Sequence, residues 1–119
     1  MKILIVDDAL FMRAMLRKAL EPLGYEIREA ENGLQAVAIA EEWKPDLITM
    51  DIVMPEMDGL HALAEIRRSA SQVRVVMVTA VEQREPMQEA MRLGISDFIV
   101  KPFDENRVIS AVDRALSRP

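Results

Sequence analysis

The sequence predicts an α/β fold: a doubly wound, five-stranded parallel sheet with helices on both faces. Three observations predict it. Short β-rich apolar runs alternate with helical patterns five times along the chain, as in consecutive β-α units. Most of these runs are apolar throughout, as strands are when both faces of a parallel sheet are covered. Four of the five runs stop at a charged or hydroxyl residue. That gathers polar groups at the carboxyl edge of the sheet, where open α/β folds bind ligands.

The elements follow in order. The first strand, Ile3–Val6, is halted by Asp7 and Asp8. A helix covers about Leu10 to Leu20 and is ended by Pro22 and Gly24, both helix stops. The second strand, Tyr25–Arg28, closes on Glu29-Ala30, which offers no group comparable to the other strand ends. Asn32-Gly33 opens the second helix, which stops before Pro45. The third strand, Leu47–Met50, ends at Asp51, and the third helix runs from Gly59 or Leu60 to Arg67-Arg68. The fourth strand, Val73–Val78, ends in Thr79 and Ala80. The fourth helix spans about Pro86 to Leu93, with Gly94 as its stop. Its Met87, Ala90 and Met91 have the i, i+3, i+4 spacing of an inward stripe. The fifth strand, Phe98–Val100, ends in Lys101 and Pro102. Asp104 is a good N-cap for the last helix, which carries Val108, Ile109, Val112, Ala115 and Leu116 on one face. Ser117-Arg118-Pro119 reads equally as a chain end or as the start of a linker.

Residues 1–119 amount to one domain, half hydrophobic and without an internal linker, which is enough for one core and too little for two. A net charge of −5 argues against direct binding of nucleic acid, which needs a basic footprint. With no cysteine and one histidine, disulfides, thiolate sites and imidazole zinc sites are excluded. No apolar run approaches the roughly 20 residues that span a bilayer. The first residues are a strand pattern and not a secretion signal. A cytoplasmic, membrane-free protein is the expectation.

If the first and third strands are neighbours, Asp7, Asp8 and Asp51 converge. Three carboxylates at one spot need raised pKa values or a cation. Lys101 supplies one positive charge, which is too little. Mg²⁺ is the natural complement, since it prefers a few carboxylates together with water and phosphate oxygens. A carboxylate beside Mg²⁺, a lysine and a threonine hydroxyl makes a phosphoryl-transfer site in which the aspartate becomes an acyl phosphate. Each residue alone has a plainer reading. Asp8 is equally a turn former or helix cap, Asp51 a cap, Thr79 a strand-end residue and Lys101 a solvated lysine. The combination at four strand ends is far more specific than its members.

The stretches ILIVDD, DLITMDIVMPEMDGL, VVMVTA and DFIVKPF resemble the bacterial two-component response-regulator receiver domain, over the whole chain. VDDALFMRAML and the short length resemble the CheY-like, chemotaxis-type single-domain receivers in particular. The resemblance implies the flavodoxin-like (βα)5 topology with strand order 2-1-3-4-5. It implies Asp51 as phospho-acceptor, Asp7 and Asp8 as the acidic pair for Mg²⁺, and Asp51 and the Val53 backbone carbonyl as further metal ligands. Lys101 would contact the phosphoryl group, and the bond from Lys101 to Pro102 would be cis. Thr79 and Phe98 would form the switch that reshapes the fourth helix, fifth strand and fifth helix. A plain packing role is the other reading of Phe98. Many relatives carry tyrosine at the Phe98 position. Val53 and Val81, which flank the path of attacking water in the family, are apolar here, which implies slow self-dephosphorylation.

The implied function is that of a phosphorylation-activated response regulator, not an enzyme on a diffusing substrate. A histidine kinase or phosphotransfer protein would be the donor. The target would be a downstream protein, either motor-switch-like in chemotaxis or the chain's own C-terminal output domain, for example one that binds DNA. An aspartyl-phosphate hydrolase would want a second acid where Val53 stands, and a cap domain. A flavin carrier would want a Gly/Ser/Thr-rich phosphate cradle after the first strand, where this chain has DDALFMR. A receiver that no longer takes phosphate would not need the full set Asp7, Asp8, Asp51, Thr79 and Lys101. Of the remaining residues, His61 reads as surface, Trp43 as a partly buried packing residue, and several of the nine methionines as core filling. Arg84, Gln88 and Arg92 read as an outward face of the fourth helix, either a partner surface or simply solvated.

Overall fold

The computed structural model describes residues 1–70 and 72–117; Ser71 and the terminal Arg118-Pro119 lie outside the described residues. Its elements are β1 (Lys2–Val6), α1 (Leu10–Leu20), β2 (Glu26–Ala30), α2 (Gly33–Trp43), β3 (Leu47–Met50), α3 (Gly59–Ser69), β4 (Arg74–Thr79), α4 (Arg84–Leu93), β5 (Asp97–Val100) and α5 (Glu105–Ser117). The five strands form one sheet in the order β2-β1-β3-β4-β5, every pair parallel.

Strand residues alternate between two cores. Leu4, Val6, Ile48, Met50, Val75 and Met77 pack with Ala36, Ala40, Leu63, Ile66 and Ala90 of α2, α3 and α4 on one face. Ile3, Ile5, Leu47, Val76, Val78 and Ile99 pack with Leu16, Leu20, Val108 and Val112 of α1 and α5 on the other. Having a core on each face is what removes polar alternation from the strands. It also leaves their carboxyl ends as the place where the chain turns and polar groups gather.

Helix caps follow from the sequence. Asn32, Asp58 and Asp104 each accept a hydrogen bond from a backbone N–H three residues on, satisfying donors that a helix start leaves open. Gly94 closes α4 at φ 96, a conformation that favours glycine.

Several details differ from expectation. β2 begins at Glu26 and runs on through Glu29 to Ala30, where the apolar run suggested Tyr25–Arg28. The α4 stripe is narrower than its spacing suggests: Ala90 is fully buried but Met91 is 62% exposed. One position along a helix turns the side chain by about 100°, and that carries Met91 out of the contact. Ala111 joins the buried face of α5. Met50, Met54 and Met77 fill core, whereas Met1, Met15 and Met91 are exposed. Trp43 is more buried than expected, at 7%, with the Lys2 ammonium 5.6 Å and the Arg28 guanidinium 4.8 Å from its ring centre. Arg84, Gln88 and Arg92 do face solvent.

Candidate functional site at the carboxyl edge of the sheet

The parallel ladders continue one step past the strand ends. The Asp51 N–H donates to the Val6 carbonyl at 3.1 Å, and the Asp7 N–H to the Ala30 carbonyl at 3.1 Å. The residues after β1 and β3 therefore stay in register and side by side. On the other half of the sheet the Lys101 N–H donates to the Thr79 carbonyl at 2.8 Å. The peptide bond between Lys101 and Pro102 is cis.

Loop packing fixes the ground under Asp51. The Gly59 N–H donates to the Ile52 carbonyl at 2.7 Å. A Cβ on Gly59 would stand 1.9 Å from the Asp51 carbonyl oxygen, so only glycine lets the start of α3 approach this closely. The Gly33 N–H at the start of α2 donates to the Met57 carbonyl at 2.9 Å. The loop from Asp51 to Asp58 is thus pinned by two helix N-termini.

Asp7 and Asp51 are buried, Asp8 is exposed, and one carboxylate oxygen from each lies within 4.8 Å of the others. The Lys101 Nζ reaches across the sheet to Asp7 Oδ2 at 2.8 Å and Asp51 Oδ2 at 2.9 Å. Burial pushes the Asp7 carboxyl up, and the bonds from Lys101 and from the Ala9 N–H only partly offset this. Burial pulls the Lys101 ammonium down, but its hydrogen bonds to Asp7 and Asp51 outweigh that and hold it above its usual range. One ammonium thus binds two members of a cluster of three carboxylates.

Asp51 Oδ1 is buried without a hydrogen-bond partner among the described residues. An unsatisfied buried acceptor is costly. An oxygen-seeking divalent cation shared with Asp7 and Asp8 fits this donor set, which is all carboxylate and partly open to solvent.

Two capping readings fall away, while the bend at Asp8 keeps its turn-forming role. The N-cap of α1 is Ala9, with no side-chain cap, so Asp8 caps nothing. Asp58 caps α3, so Asp51 does not. Thr79 is fully buried at the end of β4, and its Oγ1 accepts from the Val81 N–H at 3.3 Å. Phe98 is half-buried against the α2–α4 face. Val53 is 64% exposed and Val81 half-buried. His61 is exposed and its Nδ1 lies 3.0 Å from Asp58 Oδ1, apart from the acidic cluster.

Sequence reasoning missed Arg13 and Glu29. Arg13 is buried, and its Nη1 donates to the Asp7 carbonyl at 2.7 Å. Glu29, dismissed at the end of the second strand, accepts from Arg13 Nε at 2.9 Å. The available signal was spacing: Arg13 shares the inward stripe of α1 with Leu16 and Leu20, an odd place for an unpaired cation.

The family model for the response regulator receiver domain matches residues 3–113. This chain belongs to the response-regulator receiver family. The receiver is 50% identical to the chemotaxis protein CheY of Bacillus subtilis, over 98% of each chain. It is 42% identical to the regulatory protein AtoC of Escherichia coli, matching 97% of this chain but 25% of AtoC. Among solved structures it superposes with TM-score 0.93 on a chain of the CheX-CheY-BeF3-Mg²⁺ complex from Borrelia burgdorferi, at 31% identity over 98% of this chain and 90% of that one. Receivers are phosphorylation-activated signalling switches, and they bind Mg²⁺ in an acidic pocket. Among the described residues, no helix of this receiver is long and apolar enough to cross a membrane.

Proposed function

We propose that this receiver accepts a phosphoryl group on Asp51 from a histidine kinase or phosphotransfer protein. The modification then switches the surface formed by α4, β5 and α5 toward a downstream protein in chemotaxis signalling. One observation carries the reading. Lys101 holds one oxygen of Asp51 and one of Asp7, while the second oxygen of Asp51 is buried with no partner among the described residues.

The chemistry follows from the residues. Asp7, Asp8, Asp51 and the Val53 carbonyl would hold Mg²⁺, which supplies charge neutralisation at the phosphoryl oxygens. A carboxylate oxygen of Asp51 attacks phosphorus as the donor N–P bond breaks, and that electron pair returns to the donor imidazole. The Lys101 ammonium, already directed at Asp51, takes a phosphoryl oxygen, and positioning with charge stabilisation lowers the barrier. The Thr79 hydroxyl turns from the Val81 N–H toward the new acceptor oxygens. The volume it vacates lets Phe98 turn inward, and the two-state surface follows. The substrate is the chain's own aspartate, so this is a switch and not an enzyme with turnover on a diffusing molecule.

The half identity to a chemotaxis CheY over nearly the full length of both chains supports the chemotaxis setting, a protein target and a cytoplasmic location. The net charge of −5 supports a target other than nucleic acid or membrane. A second reading has one observation in its favour: AtoC carries this unit within a chain four times as long. In that reading residues 1–119 are the receiver of a longer regulator with a C-terminal output domain such as one that binds DNA.

Amide NMR spectra with and without acetyl phosphate and Mg²⁺ test the switch. The expected result is a set of shifts at Thr79, Phe98 and along α4–β5–α5. Shifts confined to residues next to Asp51 would contradict it.

A further inference from the structure

Three charged side chains are buried among the described residues, Asp7, Asp51 and Arg13, and phosphoryl transfer leaves Arg13 unused. Its contacts are specific. Nη1 donates to the Asp7 carbonyl at 2.7 Å and Nε to Glu29 Oε1 at 2.9 Å. The other oxygen of Glu29 accepts from Arg17 Nε at 2.7 Å. The hydrogen bonds from Arg17 and Arg13 hold the Glu29 carboxyl below its usual range against the opposing effect of burial.

Every polar group of Asp7 is thereby held. Its N–H donates to Ala30, its Oδ1 accepts from the Ala9 N–H at 2.9 Å, its Oδ2 accepts from Lys101, and its carbonyl accepts from Arg13. The side chain of Asp8, by contrast, has no hydrogen bond among the described residues. The Asp7 carbonyl lies in the planar peptide that joins Asp7 to Asp8. Fixing that plane fixes the direction in which Asp8 leaves the strand, and so where its carboxylate can meet a cation.

We propose that Arg13, braced by Glu29, is a positioning residue of the acidic pocket, orienting the Asp7–Asp8 peptide so that both carboxylates face the same divalent cation as Asp51. This rests on the Mg²⁺ site proposed above. Simple charge arithmetic makes the opposite prediction. Removing a cation beside an acidic pocket should tighten binding of a second cation, whereas loss of positioning weakens it.

The test is calorimetric titration of metal-free protein with Mg²⁺, comparing wild type, Arg13→Met and Arg13→Lys. Methionine keeps the apolar stem and removes the donors. Lysine keeps the charge but cannot span Glu29 and the Asp7 carbonyl with a fixed fork. Arg13→Met is expected to bind Mg²⁺ about tenfold more weakly, the lower end of what loss of an outer-shell partner costs, with Arg13→Lys in between. The Mg²⁺ needed for half-maximal phosphorylation by acetyl phosphate should rise by the same factor, with the rate at saturating Mg²⁺ unchanged. Equal or tighter binding by Arg13→Met overturns the proposal. If that variant does not fold, Arg13→Lys decides: several-fold weaker binding supports the proposal and wild-type affinity overturns it. A wild type that binds no Mg²⁺ overturns the site itself, a result distinct from variants that bind as well as wild type.

Discussion

Val53 and Val81 place apolar side chains two residues beyond Asp51 and Thr79 along the chain. Val53 is largely exposed, so it can be exchanged without touching the core. An amide there would hydrogen-bond and orient an attacking water, where valine offers nothing. Val53→Asn should therefore shorten the lifetime of the phospho-form several-fold, followed as loss of the phosphoryl mass over time. Equal decay of the two phospho-forms would remove the idea. Residue by residue, the sequence was readable where chemistry and position agreed. An aspartate or lysine at the end of an apolar strand has few structural reasons to be there. Arg13 was missed, because an arginine in a helix normally extends to solvent and its place on the inward stripe of α1 was passed over. Only the three-dimensional pairing of α1 with β2 shows what Arg13 and Glu29 do for Asp7.

At the scale of elements, two contacts decide how the site is carried. The first is Gly59 against the Asp51 carbonyl. Gly59→Ala puts a Cβ where backbone already stands, so α3 or the loop must move. A loss of roughly 1–3 kcal/mol, read as a lower urea midpoint, should accompany slower phosphorylation. Unchanged stability and rate would show that the loop gives way freely. The second contact ties β5 to α5: Asp97 accepts from Arg107 Nη1 at 2.8 Å and Nη2 at 3.1 Å. Those bonds hold the Asp97 carboxyl below its ordinary value of 3.8, with burial opposing. A carboxyl depressed in the folded state stabilises above its unfolded value, and that stabilisation is lost as pH falls through the folded one. Asp97→Asn should thus cost roughly 1 kcal/mol at neutral pH, a difference that shrinks on acidification below 3.8. Urea melts of both proteins at the two pH values check it, and a constant difference would contradict it. The elements themselves were legible because period and punctuation agreed, as in Asn32-Gly33 opening α2 and Gly94 closing α4. The failures were at margins. Met91 fitted a helical stripe that the narrow contact of α4 does not use. Glu29 was set aside because the end of the second strand offered no group comparable to the other strand ends, although Glu29 lies in the edge strand β2 and pairs with Arg13 and Arg17 of α1.

For the whole molecule, a sheet with a core on each face leaves the rim at the strand ends as the place where polar groups gather. The acidic pocket sits where β1 and β3 end, and Lys101 brings β5 to it across the intervening strand. A change at Asp51 is therefore tied physically to the ends of β5 and β4, through the Lys101 ammonium and through the Lys101 N–H bonded to the Thr79 carbonyl. The central claim is that Asp51 takes a phosphoryl group with help from a divalent cation. Intact-protein mass after incubation with acetyl phosphate tests it most directly, with and without Mg²⁺, on wild type and Asp51→Asn. One phosphoryl adduct that needs Mg²⁺ and is absent from the variant is the predicted result. No adduct on folded wild type with Mg²⁺ present, or an adduct that survives Asp51→Asn, would contradict the account.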